Sequence, residues 1–436
     1  MSSPYKIAVL GLWHLGEIYS AGLAELGHSV VGLSDDEKII KNLLEAKPPL
    51  PEPDLENLIR KNLETSRLSY STDFREIEKC RVLWITFDTP VDDNDDVDLT
   101  VITTALKKSL PHLSNGILIV VTSQVPVGTA KTIRELISAS RPDLKFGYAC
   151  VPENLRLGNA VKCFFDPGRI IIGASEAETS DAVVEIFKNI PAEILKMSPA
   201  SAEMAKHATN AFLATSVSFI NDISDICEKV GADVQDVTRA LRSEPRIGPK
   251  AFLDSGLGFS GGTLGRDLKV LMSVAKKENI EPFILDDVYN KNLARKDFVI
   301  RRLVEILGSI QGKTIALFGL TYKPGTPTLR RSRALEIAAL LLQSGANLKL
   351  HDPAADEQEL ANLGSFDFFR DPYAAVLEAD SLILVTPWPE FKNLDFQAIS
   401  NKAKPNAVFF DVPNFLCDKE REIGAIGLRY FGTGRG

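Results

Sequence analysis

The chain has 436 residues, 44% of them apolar and 25% charged, with a formal net charge of -8. That length holds two or three domains of ~100–200 residues each, and the composition is that of an ordinary globular protein. An acidic balance without a basic stripe argues against a nucleic-acid partner, and no run approaches the ~18 uninterrupted apolar residues of a membrane span.

The opening MSSPYKIAVLGLW is a polar stub leading into a strand, without the cationic start and cleavage site of a secretory leader. Five cysteines (Cys80, Cys150, Cys163, Cys227 and Cys417) are odd in number, widely spaced and mostly set in apolar runs. They read as buried thiols of a reducing compartment, with no metal cluster, and the expected location is the cytoplasm.

In chain order, KIAVL (Lys6 to Leu10) predicts a short strand, GLWHLG (Gly11 to Gly16) a glycine turn, and EIYSAGLAELG a helix stopped by Gly27. A second strand, SVVGLS, ends at Asp35 and Asp36. Strand, glycine turn, helix, strand and acid is the layout of a dinucleotide-binding βαβ unit. The turn departs from GxGxxG at Trp13, which stands where the second glycine would let backbone approach a pyrophosphate. A degenerate unit kept only as scaffold has the same layout. Two acids at the strand end would repel the 2′-phosphate of NADP, although Lys38 is close by.

RVLWITFDTP (Arg81 to Pro90) and ILIVVTSQVPVGT (Ile117 to Thr129) predict buried strands. Parallel sheets bind ligands beyond the carboxyl ends of their strands, which makes Thr89, Pro90 and Ser123 candidate ligand contacts. Ser198 to Val230 predicts one long helix with Ser198 as N-cap and Glu203 supporting its first turns. Its apolar stripe, including Met204, Phe212, Val217, Phe219, Ile220 and Ile223, is wide enough to imply burial on more than one side. Lys206 and Asn210 are four apart and project from one helix face. A cation beside an amide suits a developing alkoxide, whereas a surface lysine with a polar neighbour is the plainer reading. From Gln311 a second strand, glycine turn, helix, strand and acid (Asp352) repeat the layout without a glycine triplet.

GFSGGTLGRD (Gly258 to Asp267) carries four glycines in ten residues and leads into a helix, as an anion-binding loop does, although a flexible connection would look alike. This stretch resembles the active-site loop GFGGSCFPKD of the UDP-glucose/GDP-mannose dehydrogenase family. Gly258, Phe259, Gly261 and Asp267 match, and Thr263 replaces the nucleophilic Cys. ACVPENLRLGNA resembles the family's SNPEFLREGSA, with Glu153 on the first glutamate and Leu157 in place of the second. The helix resembles AEMxKYxxNxxLAxxISFxNE, whose Lys and Asn fall on Lys206 and Asn210. FDPGRIIIG resembles the strand that closes the family's first domain, and PLPEPDLENLI resembles PxYEPGLEEL. KPGTPTLRRSR resembles FKxxTDDxRxSP: Lys323, Thr326, Arg330 and Ser332 match, while Pro327, Thr328 and Arg333 depart.

The resemblance implies an α/β fold of two Rossmann-like doubly wound domains joined by a long central helix. It divides the chain into an NAD-binding domain (1–197), a helical dimerisation domain (198–300) and a nucleotide-sugar-binding domain (301–436). It implies catalytic roles for Glu153, Lys206, Asn210, Thr263 and Asp267. Cofactor contacts fall to Gly11, Trp13, Gly16, Asp35, Thr89, Pro90, Ser123 and Arg330. Substrate contacts fall to Phe259, Gly261, Lys323 and Arg246, the last reaching a neighbouring subunit. The implied activity is NAD-dependent oxidation of a nucleotide-diphospho sugar by a homodimer. A threonine hydroxyl is a poor nucleophile without a base, so the product is expected to be an aldehyde or ketone. A non-catalytic nucleotide-sugar binder and an epimerase using NAD transiently remain alternatives.

Overall fold

Alternate residues of Lys6–Leu10 (β1) enter two different apolar clusters: Ile7 and Val9 pack on one face of a sheet, Ala8 and Leu10 on the other. Val82–Ile85 (β4) divides in the same way, with Val82 and Trp84 on the first face and Leu83 and Ile85 on the second. A sheet covered on both sides needs apolar residues at every strand position, so these strands read as unbroken apolar runs.

The computed structural model describes residues 4–89, 97–153, 155–259, 263–360 and 363–435. Two compact units divide after Ala208. Among the described residues the first is built on eight strands. Besides β1 and β4 they are Ser29–Leu33 (β2), Leu68–Ser71 (β3), Ile117–Val121 (β5), Phe146–Cys150 (β6), Arg169–Ala174 (β7) and Glu193–Met197 (β8). Their order is β3-β2-β1-β4-β5-β6-β7-β8, parallel except where β7 meets β6. The run RIIIG does not close this sheet, because β8 pairs beyond it at the edge.

Among its described residues the second unit carries six parallel strands: Thr314–Phe318 (β9), Asn347–His351 (β10), Asp367–Phe368 (β11), Ser381–Leu384 (β12), Val408–Asp411 (β13) and Arg429–Gly432 (β14). Their order β11-β10-β9-β12-β13-β14 is the doubly wound pattern, with its switch point between β9 and β12. Here too alternate residues divide, Ile315 and Leu317 to one face and Ala316 and Phe318 to the other.

The helix Pro199–Val230 runs for 32 residues from the first unit into the second. Two Rossmann-like units joined by a long helix is the architecture the sequence implies. Ser198 caps the helix, its Oγ accepting from the Ser201 amide at 3.2 Å. Glu203 does something other than support its own turn. Its carboxylate accepts from the amides of Gly128 (2.7 Å) and Ala130 (2.8 Å), capping the helix Thr129–Ser140. The wide apolar stripe is also only partly covered within one chain, with Phe212 72% and Phe219 48% exposed. No described helix is long and apolar enough to cross a membrane.

Candidate active site

In the first unit, β1 ends in a turn that needs its glycines. Gly11 has φ +94°, and a Cβ there would lie 2.7 Å from the Phe87 nitrogen. A Cβ on Gly16 would lie 2.1 Å from the Gly11 carbonyl oxygen, so the helix His14–Glu25 can pack against β1 only with glycine at that position. Trp13 precedes this helix in extended conformation and is 46% exposed. Its ring closes no core; it lines a cleft of about 680 Å³ with Gly11, Leu12, Ser34, Asp35 and Asp36.

The cleft lies at the carboxyl ends of β1 and β2, on the β1–β4 switch point of the sheet, where doubly wound folds bind nucleotides. First-turn amides of a helix lack partners within it and attract anions. Close-packed glycines, a free helix start and an acid at the β2 end together fit a dinucleotide, with Trp13 replacing open backbone as one wall. Asp35 is not bare: Lys108 Nζ bonds its Oδ1 and stands 4.0 Å from the centre of the Phe74 ring.

Further along the same sheet edge, Thr89 Oγ1 donates to the Gln124 carbonyl at 2.6 Å, tying the loops after β4 and β5 together. Ser123 is buried beside Glu153, Glu203 and Lys206. Lys206 Nζ donates to the Glu153 backbone carbonyl at 2.6 Å and lies 3.5 Å from its Oε1. The Glu153 carboxylate also accepts from the Leu155 amide, which fixes it within its own loop. Pro90 lies outside the described residues.

In the second unit, Asn210 Nδ2 donates to Asp267 Oδ2. Asp267 is fully buried in the first turn of the helix Leu264–Lys277, where the positive end of the helix favours a carboxylate. Thr263 is the residue before that helix and is exposed, and its side chain caps none of the helix amides. Gly261 lies outside the described residues. Phe259 is buried and lines a cavity of about 420 Å³ with Lys323, Arg333, Thr386 and Pro413. Arg330 is exposed and lies apart from that lining. Arg246 is exposed as well, its Nε donating to Glu244 Oε1 at 2.7 Å.

The acid that ends β10 has a structural occupation. Asp352 is fully buried and accepts from the amides of Leu320 (2.6 Å) and Thr321 (3.1 Å) and from Trp388 Nε1 (3.1 Å). Its oxygens therefore hold the β9 glycine turn in place of a ribose. The repeated layout marks a second sheet of the same winding without a second cofactor acid.

Three models of one family match in sequence order along the chain. They are the NAD binding domain (residues 5–191), the central domain (200–294) and the UDP binding domain (316–418) of the UDP-glucose/GDP-mannose dehydrogenase family. The chain belongs to this family. It is an NAD-dependent nucleotide-sugar dehydrogenase. UDP-glucose 6-dehydrogenase TuaD of Bacillus subtilis is 34% identical over 99% of this chain and 93% of its own. The UDP-glucose 6-dehydrogenase of Rhizobium meliloti is 32% identical over 99% of both chains. The solved UDP-glucose dehydrogenase of the archaeon Pyrobaculum islandicum superposes with a TM-score of 0.88 at 30% identity, covering 100% of this chain and 99% of that one.

Several residues of this dehydrogenase escape a reading of single motifs. Glu52 is buried, meets His14 Nε2 at 3.0 Å, and accepts from the amides of Gly158 (2.9 Å) and Ala160 (2.6 Å). It thereby anchors the loop that carries Glu153 and Leu157. Its signal was present in PLPEPDLENLI, but the partner loop lies about a hundred residues away in sequence. Lys108 gave no signal at all, being one of two lysines on an ordinary amphipathic helix.

Proposed function

We propose that this dehydrogenase oxidises a hydroxyl of a UDP-sugar by two electrons and releases the aldehyde or ketone. The observation that carries the proposal is Thr263, which heads the helix whose first turn presents Asp267 to Asn210. NAD supplies the acceptor for the hydride that leaves the sugar carbon. For a primary alcohol the balance is RCH2OH to RCHO, with one hydride leaving carbon and one proton leaving oxygen. In our reading Asp267, oriented by Asn210, receives that proton directly or through a water. Lys206 offers a cation to the oxygen as negative charge develops on it.

A second oxidation needs an adduct at the aldehyde carbon. A thiolate forms one readily near neutrality, whereas a threonine hydroxyl needs an adjacent base. Glu153 is held by Lys206 and the Leu155 amide, and in this reading it keeps the lysine in place. Cofactor contacts are assigned to Gly11, Trp13, Gly16, Asp35, Thr89, Pro90, Ser123 and Arg330, and substrate contacts to Phe259, Gly261 and Lys323. The matched spans support a functional division into 1–197, 198–300 and 301–436. NAD use and five free thiols favour a cytoplasmic setting.

The homodimer is part of the same proposal. Phe212, Phe219 and Ile226 recur every seven residues along the long helix and are all exposed, as is Val230. Seven residues are two helical turns, so these side chains form one apolar stripe suited to a second copy of the same helix. In this reading Arg246, exposed on its loop, reaches the partner's substrate.

The deciding experiment incubates the protein with UDP-glucose and NAD, counting NADH formed against sugar consumed and weighing the product. One NADH per sugar supports the proposal. Two per sugar, with a carboxylate product, would overturn it.

A further inference from the structure

Side chains, not regular backbone pairing, hold the segment Asp254–Phe259. Asn221 Oδ1 accepts from the Gly256 amide at 2.9 Å, and Arg295 Nε donates to the Gly256 carbonyl at 2.6 Å. Asn292 closes a two-point clamp on Phe259, its Oδ1 accepting from the amide at 2.9 Å and its Nδ2 donating to the carbonyl at 3.2 Å. Gly258 is required there, since its φ is +83° and a Cβ would lie 2.2 Å from Asn292 Oδ1. Asn221, Asn292 and Arg295 are all buried and come from the helical part of the unit.

One anchor comes from elsewhere. Arg333 opens the helix Arg333–Gln343, which follows β9 in the nucleotide half. Its Nη2 donates to the carbonyls of Phe259 (3.4 Å) and Asn292 (3.3 Å), while Nη1 pairs with Glu336 at 2.6 Å. Those carbonyl contacts are longer than the usual ~2.7–3.2 Å of an N–H···O bond. The Arg333 side chain is 11% exposed and lines the 420 Å³ cavity together with Lys323. Among the loop's anchors named above, Arg333 is the one that also faces this cavity.

We propose that Arg333 is a positioning residue through which a nucleoside diphosphate in this cavity tightens the Asp254–Phe259 segment that leads to Thr263 and Asp267. The inference rests on the nucleotide-sugar reading above. A guanidinium carries five N–H donors in a planar fork, enough to serve phosphate oxygens and two carbonyls at once. Bonds to an anion are roughly twice as strong as neutral ones. A phosphate that fixes the guanidinium therefore converts two long carbonyl contacts into firm ones. Lysine carries the charge without the fork.

The test follows hydrogen exchange at the Gly256 and Phe259 amides, with and without saturating UDP, in the wild-type chain, R333Q and R333K. Calorimetry measures UDP binding in parallel. UDP is expected to slow exchange about tenfold in the wild type and less than about twofold in either variant, although both variants bind UDP when saturated. Equal slowing in R333Q, or full rescue by R333K, would overturn the proposal. So would complete loss of UDP binding in both variants, which would make Arg333 a ligand contact alone. Wild-type binding without any change in exchange defeats this inference only, whereas no UDP binding by the wild type defeats the nucleotide-sugar reading as well. Thermal melts establish that each variant is folded, and R333K carries the comparison if R333Q is not.

Discussion

Asn210 donates its side-chain amide to the carboxylate of Asp267, so a residue of the long helix orients the buried acid in the first turn of the helix Leu264–Lys277. That bond fixes the orientation of the carboxylate. Asp267→Asn keeps the shape and removes the basicity. We expect kcat to fall about 10²–10⁴-fold, the span of general-base contributions. Asn210→Ala leaves the acid in place but loosens it, with a loss of about tenfold. Steady-state NADH formation at saturating NAD and sugar checks both.

Thr263→Cys restores a side chain that forms adducts with aldehydes near neutral pH. The ratio of NADH formed to sugar consumed should move from one toward two. The rate of aldehyde oxidation, measured with the isolated aldehyde, should rise at least about tenfold. A ratio that stays at one would place the block to the second step elsewhere than at residue 263.

Asp35 and Lys108 form an ion pair in the lining of the 680 Å³ cleft, the cofactor site in the proposal above. Asp35→Asn removes the charge that repels a 2′-phosphate and leaves Lys108 free to meet one. The ratio of kcat/KM for NADP to that for NAD should rise by about tenfold, equivalent to roughly 1.4 kcal/mol. Initial rates with the two cofactors decide it.

Glu17 is fully buried in the first helix, and among the described residues neither carboxyl oxygen has a hydrogen-bond partner. Burial pushes its pKa from 4.5 up to about 9. Between those values the folded state keeps a proton that the unfolded state releases, so stability falls as pH rises from about 4.5 to 9. At pH 7 this amounts to roughly 3 kcal/mol. Glu17→Leu should raise the melting temperature by several degrees, with the gain larger at pH 8.5 than at pH 5. Parallel thermal melts of wild type and variant across that range measure it.

Phe219 lies at the middle of the exposed Phe212–Phe219–Ile226 stripe. Phe219→Glu places a charge where a second copy would bury an aromatic ring, and association should weaken by about 100-fold or more. Light scattering over a dilution series should show a dimer for the wild type and a monomer for the variant.

Much of this was legible in the residues. The unbroken apolar runs at β1, β4 and β5 declared strands buried on both faces, because only a doubly covered sheet needs them. Gly11 and Gly16 announced a tight strand-to-helix turn, since no other residue leaves room for the strand and helix to approach. Lys206 and Asn210 shared a helix face by their spacing alone. Those features depend on neighbours within a few residues.

What the sequence could not supply was the partner of each polar group. Glu203 was expected to serve its own helix, yet it caps one that begins at Thr129. Asp352 had the position of a ribose acid but is consumed by the β9 turn and Trp388. Glu52, Lys108, Asn292 and Arg333 gained their roles from contacts to segments distant in the chain. A buried polar group must find a hydrogen-bond partner, and periodicity tells which side chains are buried without telling what they meet. Sequence alone determined the sheets, the glycine turn and the face of the long helix. Tertiary structure decided which amides and side chains each buried carboxylate meets, because that depends on where distant segments of the chain come to lie.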